Sequence, residues 1–176
     1  MQLETERLLL RRPQDGDLDA YAELFADPGV ARYTGGVTKS RAESQRTLER
    51  MIRHWDDHGI GLFSAVREED DQVLGRVGFL VWDAESWRHA MLRPPRGKTE
   101  TEIGWTLGRA YWGRGYATEA ATAVRDWALR ELGLPRLISL SSAATTRQSA
   151  WPGSSARRSS AKVCPVLFPR RPTSTR

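Results

Sequence analysis

Tyr111-Trp112-Gly113-Arg114-Gly115-Tyr116-Ala117-Thr118-Glu119 separates two segments of different period. Before it, Glu102-Ile103-Gly104-Trp105-Thr106-Leu107 alternates as a strand does; after it, Ala117 to Leu132 repeats its apolar residues at helical spacing. A strand that runs into a glycine-punctuated turn and then a helix makes an anion site. Glycine lets the backbone approach a ligand, the first-turn N–H groups lack partners, and the helix dipole favours negative charge. A diphosphate is the guest that suits such a turn. The same pattern also fits a plain tight strand–helix connection, so the turn alone leaves both readings open.

Working outward, Thr5 to Pro13 reads as a strand with Leu8 and Leu10 on one face. Asp15 or Asp17 can cap a helix to about Phe25, which Asp27-Pro28-Gly29 stops. Ser40 with Glu43 forms a capping box for a helix to about Asp57, closed by Gly59. Leu62 to Arg67 and Val73 to Val81 flank the acidic turn Glu68-Glu69-Asp70-Asp71 as a hairpin. Asp83 to Thr99 reads as a long loop and Glu100 to Arg109 as the central strand. Gly133 and Pro135 end the last helix before a short strand, Arg136 to Leu140. This order predicts an α/β fold with a mixed sheet.

With 176 residues, 39% of them hydrophobic, the chain has the size of one domain with a buried core. It has no apolar run long enough to cross a bilayer, no secretory signal and one cysteine, Cys164, so the default expectation is a cytoplasmic protein without disulfides. The net charge of +5 first suggests a nucleic-acid partner. Residues 141–176, however, hold seven basic and no acidic residues, leaving 20 basic and 22 acidic in residues 1–140. The tail alone makes the chain basic.

The phrase Glu102-Ile103-Gly104-Trp105 followed by Tyr-Trp-Gly-Arg-Gly-Tyr-Ala-Thr-Glu-Ala resembles the acetyl-CoA motif of the GNAT superfamily of N-acetyltransferases. Glu4-Thr5-Glu6-Arg7-Leu8-Leu9-Leu10-Arg11 is similar to the first strand of its ribosomal-protein-alanine acetyltransferase-like branch. The resemblance covers about Leu3 to Leu140. It implies the GNAT-like acyl-CoA N-acyltransferase fold, acetyl-CoA as co-substrate, no metal, and an amine acceptor that is either a protein N-terminus or a small molecule. Under it, the backbone of Trp105, Thr106 and Leu107 holds the pantetheine. The amides of Gly113, Arg114, Gly115, Tyr116 and Ala117 cradle the diphosphate, with Arg114 adding charge and Thr118 a hydroxyl. Ala110 stands where many members carry Gln or Arg.

Glu102 is the candidate catalytic base, directly or through water; the alternative is a partly exposed strand residue paired with an arginine. His54 and His58 are four apart on a helix, a metal-compatible spacing, but without a third ligand nearby in sequence they read as a solvated pair. Tyr33, Trp55 and Trp82 suit either an acceptor pocket or the core. Arg88, Arg93, Arg96 and Lys98 suit either substrate steering or a solvated loop. Glu119 reads as a cap or a pairing partner within its own helix.

The character of the chain changes after Leu140. Eight serines and four threonines fall in the last 36 residues, against five serines in the preceding 140. Such a segment cannot bury much apolar surface and reads as disordered, except for a short strand from Val163 to Phe168. The resemblance implies an Asn and a Ser opening a further helix, then two strands, yet the chain has no asparagine. The expectation is therefore an N-acetyltransferase domain over 3–140, its last helix and strands missing or aberrant, and a basic Ser/Arg/Pro-rich tail over 141–176. A shifted reading frame of a GC-rich gene and a divergent tail both explain it. A bare strand edge there invites pairing with a second chain, hence a homodimer. Two competing functions remain: a catalytically impaired CoA-binding remnant, and a basic-tail nucleic-acid binder, which the lack of a recognisable binding module disfavours. No membrane partner is expected.

Overall fold

The computed structural model describes residues 1–91, 97–142 and 161–166, with the last two of the second stretch and all of the third as backbone only. Among the described residues seven strands form one sheet in chain order: β1 (Gln2–Glu4), β2 (Leu8–Arg11), β3 (Leu62–Arg67), β4 (Gln72–Asp83), β5 (Thr99–Leu107), β6 (Leu137–Ser142) and β7 (Ala161–Val166). The helices are α1 (Leu18–Ala26), α2 (Pro28–Ala31), α3 (Arg41–His58) and α4 (Tyr116–Arg130). All neighbouring strands run antiparallel except β5 and β6, which are parallel.

Alternation along the strands sorts the side chains into two layers. Phe63, Phe79, Ile103 and Leu107 face α4, whose Ala120, Ala121, Val124, Trp127 and Ala128 are buried against them. Phe63 and Phe79 both lie within 6 Å of the Trp127 ring, at 5.8 and 5.9 Å, aromatic contacts worth about 0.5–1.5 kcal/mol each beyond area burial. Leu62 and Leu80 point the other way, onto Tyr21, Phe25, Leu48 and Met51 of α1 and α3. The capping box at Ser40 and Glu43 is present, and Gly59 ends α3 at φ 68.

Two expectations need correction and two gain detail. The segment Thr5 to Pro13 is not one strand: the Thr5 N–H donates to the Leu8 carbonyl and the Thr5 hydroxyl accepts the Leu8 N–H, which turns β1 back against β2. Asp27-Pro28-Gly29 stops α1 as expected, and Asp27 then caps the one-turn α2 through the Gly29 N–H at 2.7 Å, with Pro28 in its first position. The segment after β4 starts as the expected loop, its first turn held by Asp83 Oδ1, which accepts the N–H groups of Glu85 and Ser86, and by Ala90, which donates back to Val81. The strand after α4 does not end in a bare edge either. β7 pairs with it from Leu137↔Val166 to Ser142↔Ala161, two residues earlier than the strand read at Val163 to Phe168. The reading of the rest of the tail as disordered, and Arg93 and Arg96, lie outside the described residues.

Candidate active site

The β5–β6 pair is the one parallel join in the sheet, and it holds by a single register pair, Glu102↔Ile138. Past that pair the ladder stops, so the two strands form a fork with Glu102 at its apex. The Glu102 side chain is 7% exposed. Its Oε2 accepts the Trp82 indole N–H at 2.7 Å, and Oε1 faces the Leu140 N–H across the fork at 3.4 Å. A Cβ at Gly104 would lie 3.5 Å from Oε1, so the glycine keeps the approach to the carboxylate open.

Burial pushes the Glu102 carboxyl up to about 7, against the weaker opposing pull of the Trp82 and Leu140 donors and the Arg76 charge. Among the described residues no arginine hydrogen-bonds it. The reading of Glu102 as a partly exposed, arginine-paired residue is therefore overturned.

The glycine turn is built for close approach. Gly113 and Gly115 sit at φ 73 and 84, backbone that side-chain-bearing residues rarely adopt. Gly115 is the N-cap of α4, and no side chain caps the helix. The first-turn amides of Tyr116, Ala117 and Thr118 thus have no acceptor among the described residues, beside exposed Gly113, Arg114 and Gly115.

Glu119 does not pair within its helix. It accepts the Thr5 hydroxyl at 2.6 Å and the Arg7 N–H at 2.9 Å, and it holds the Arg7 guanidinium through Nε and Nη2. Arg7 in turn donates to the Arg114 carbonyl at 3.1 Å and lies over the Tyr116 ring. The β1–β2 turn therefore braces the glycine turn, which links the two phrases that stand apart in sequence.

A family model described as an acetyltransferase (GNAT) domain matches residues 7–149. The chain belongs to the GNAT acetyltransferase family. A GNAT relative, the uncharacterised N-acetyltransferase p20 of Bacillus licheniformis, is 32% identical over 136 residues, 77% of this chain and 70% of that one. Among solved structures, an acetyltransferase from Agrobacterium tumefaciens is 29% identical with TM-score 0.73, covering 96% of this chain and 95% of that one. The ribosomal-protein-S5-alanine acetyltransferase of Vibrio fischeri shares the fold at 12% identity and TM-score 0.67, over 94% of each chain. The GNAT family is one of acyltransferases, so the mixed-sheet fold and the enzyme class read from the sequence both stand.

Within this GNAT fold the remaining candidates separate. Trp105 and Thr106 are half-buried on the fork strand, while the Leu107 carbonyl already accepts the Trp112 indole N–H at 2.7 Å and offers a ligand less. Trp55 belongs to the core, donating to the Leu62 carbonyl. Trp82 serves Glu102, and Tyr33 is exposed, edge-on to Trp112. Arg88 and Lys98 are exposed.

His54 is not solvated as expected: it is buried, its ring tilted against that of His58 with centroids 4.6 Å apart, and burial pushes its pKa down to about 4. Among the described residues no group of three or more His, Cys, Asp or Glu side chains is placed to hold a metal. The periodicity reading missed Arg7 as a brace, although the Thr-Glu-Arg-Leu phrase marked its neighbourhood.

Proposed function

We propose that this chain moves an acetyl group from acetyl-CoA to a primary amine, either a protein N-terminal α-amine or a small-molecule amine, by direct attack in a ternary complex with Glu102 as the base. The observation that carries this reading is the buried Glu102 carboxyl at the apex of the fork, pushed up to about 7. An α-amine has an ordinary pKa of about 7.7–8 and must lose a proton before it attacks. A base with a pKa near the working pH combines the right protonation state with useful driving force.

The fork and the turn suit an extended thioester with a diphosphate at one end. The backbone of Trp105, Thr106 and Leu107 would bind the pantetheine. The amides of Gly113, Arg114, Gly115, Tyr116 and Ala117, the Arg114 charge and the Thr118 hydroxyl would take the diphosphate. Bound there, acetyl-CoA supplies the thioester carbonyl as electrophile. The ammonium gives its first proton to Glu102. The new N–C bond forms as the C–S bond breaks, sulfur keeps that electron pair, and the second N–H proton ends on the thiol. Residues 3–140 carry every group this reading uses.

The test is amine-dependent release of free thiol from acetyl-CoA, measured from pH 5.5 to 9 on the chain and on Glu102→Gln. The rate constant kcat/KM should rise with pH and level off above about 7, and the variant should lose that limb. Thiol release that ignores both the amine and Glu102 would sink the reading.

A further inference from the structure

The α1–α3 face of the sheet carries Glu102 and also a cation, Arg76, whose charge Glu102 feels without pairing to it. Arg76 lies on β4 opposite Thr106, on the same sheet face as Leu80, whose partner is Glu102. Its guanidinium rests 5.0 Å from the Phe25 ring centroid and reaches the Met51 sulfur at 3.7 Å. The Lys39 ammonium lies 4.5 Å from the same ring and donates to the Thr47 hydroxyl at 3.0 Å. Both side chains are half-buried.

Neither cation has a carboxylate in ion-pair range among the described residues. Glu43, four residues after Lys39, is occupied by the Ser40 N–H and hydroxyl. Residues 92–96, 143–160 and 167–176 contain no Asp or Glu, so none of these segments supplies a carboxylate to either cation. His89, which also feels the Arg76, Arg50 and Lys39 charges, keeps a buried Nδ1 without a partner. Two like charges held against one ring repel, and a half-buried guanidinium with a thioether and a ring for company leaves most of its five donors unspent. Burial and the neighbouring Arg76 and Arg50 push Lys39 down to about 8. An arriving anion would relieve all three strains at once.

We infer that Lys39 and Arg76, converging on Phe25, form a subsite for a carboxylate or phosphate carried by the acceptor amine. The inference rests on the acetyl-transfer reading and supplies its substrate class: an amine with an anionic group several bonds away. Arg76 and Leu80 are separated by roughly 13 Å of strand, and the arginine's own length closes part of that gap.

The experiment compares kcat/KM for ω-aminocarboxylates of three to eight carbons, ω-aminoalkyl phosphates and neutral alkylamines of matched length. It is run on the chain and on Lys39→Met and Arg76→Met. The anionic acceptors should be preferred by about 10-fold to 100-fold, chiefly through KM, and the preference should collapse toward one in both variants. The carboxylate and phosphate series distinguish which anion fits. Equal use of neutral and anionic amines, or a preference unmoved by both substitutions, would overturn the subsite. Should no amine be acetylated, the transfer reading fails by itself. The subsite then stands or falls on whether 6-aminohexanoate raises the melting temperature of the chain more than that of Lys39→Met.

Discussion

Asp17 and Glu102 are both buried carboxylates, 4% and 7% exposed, yet the molecule treats them in opposite ways. Asp17 receives both Nη atoms of Arg11, at 2.6 and 2.9 Å, together with the Ser64 hydroxyl and the Gln14 N–H. Burial alone would raise it, but these donors outweigh burial and hold it below the usual carboxylate range. Glu102 has an indole N–H and one long backbone contact but no guanidinium fork, so burial wins and the carboxyl rises to about 7. Full pairing makes a buried carboxylate structural; incomplete pairing keeps it ready to exchange a proton.

The largest effect should come from Glu102→Gln, which removes the proposed base and should lower kcat/KM about 10²-fold to 10⁴-fold in a thiol-release assay. Its effect on stability should have the opposite sign. Glu102 has a folded pKa above its unfolded value of 4.5, so its contribution is fully present below that value and is lost as pH rises through about 7. At pH 8 the variant should therefore be the more stable, by roughly 3 kcal/mol, and at pH 4 the two should melt together.

Asp17→Ala is the mirror case. It strands the Arg11 charge and should cost about 3–5 kcal/mol in urea denaturation at pH 7. Because the Asp17 pKa is lowered, that loss should shrink as pH falls through it. Reversed stability signs for the two variants at neutral pH would break the comparison.

Smaller effects sharpen it. Gly113→Ala forces a side chain into φ 73 and should cost about 1–2 kcal/mol, raising the calorimetric Kd for acetyl-CoA up to about 10-fold. Trp82→Phe removes a donor that holds Glu102 down. The midpoint of the kcat/KM profile should then move above about 7, and a midpoint that stays put would separate Glu102 from the profile.

Much of the scaffold was legible because it is local. The Ser40 box, the stop at Gly59, the hairpin across Glu68–Asp71 and the stripe of α4 each depend on residues within a few positions of one another. The glycine turn at Gly113–Gly115 was legible for the same reason, and a family phrase singled out Glu102, whose burial no local pattern announced. The β1–β2 turn was not, because a threonine hydroxyl interrupts a run of residues that all favour extended backbone. The solvated reading of His54 failed because helical spacing says nothing about which face a neighbouring loop covers.

The sequence by itself determined the elements, their order and the residue types available to the site. Tertiary structure alone decided that Glu119 braces Thr5, 114 residues away, that Glu102 is buried without a guanidinium, and that Lys39 and Arg76 meet over one phenylalanine. Backbone propensity acts over a few residues. A carboxyl's proton affinity and a cation's lack of a partner depend on desolvation and on groups that only folding brings together.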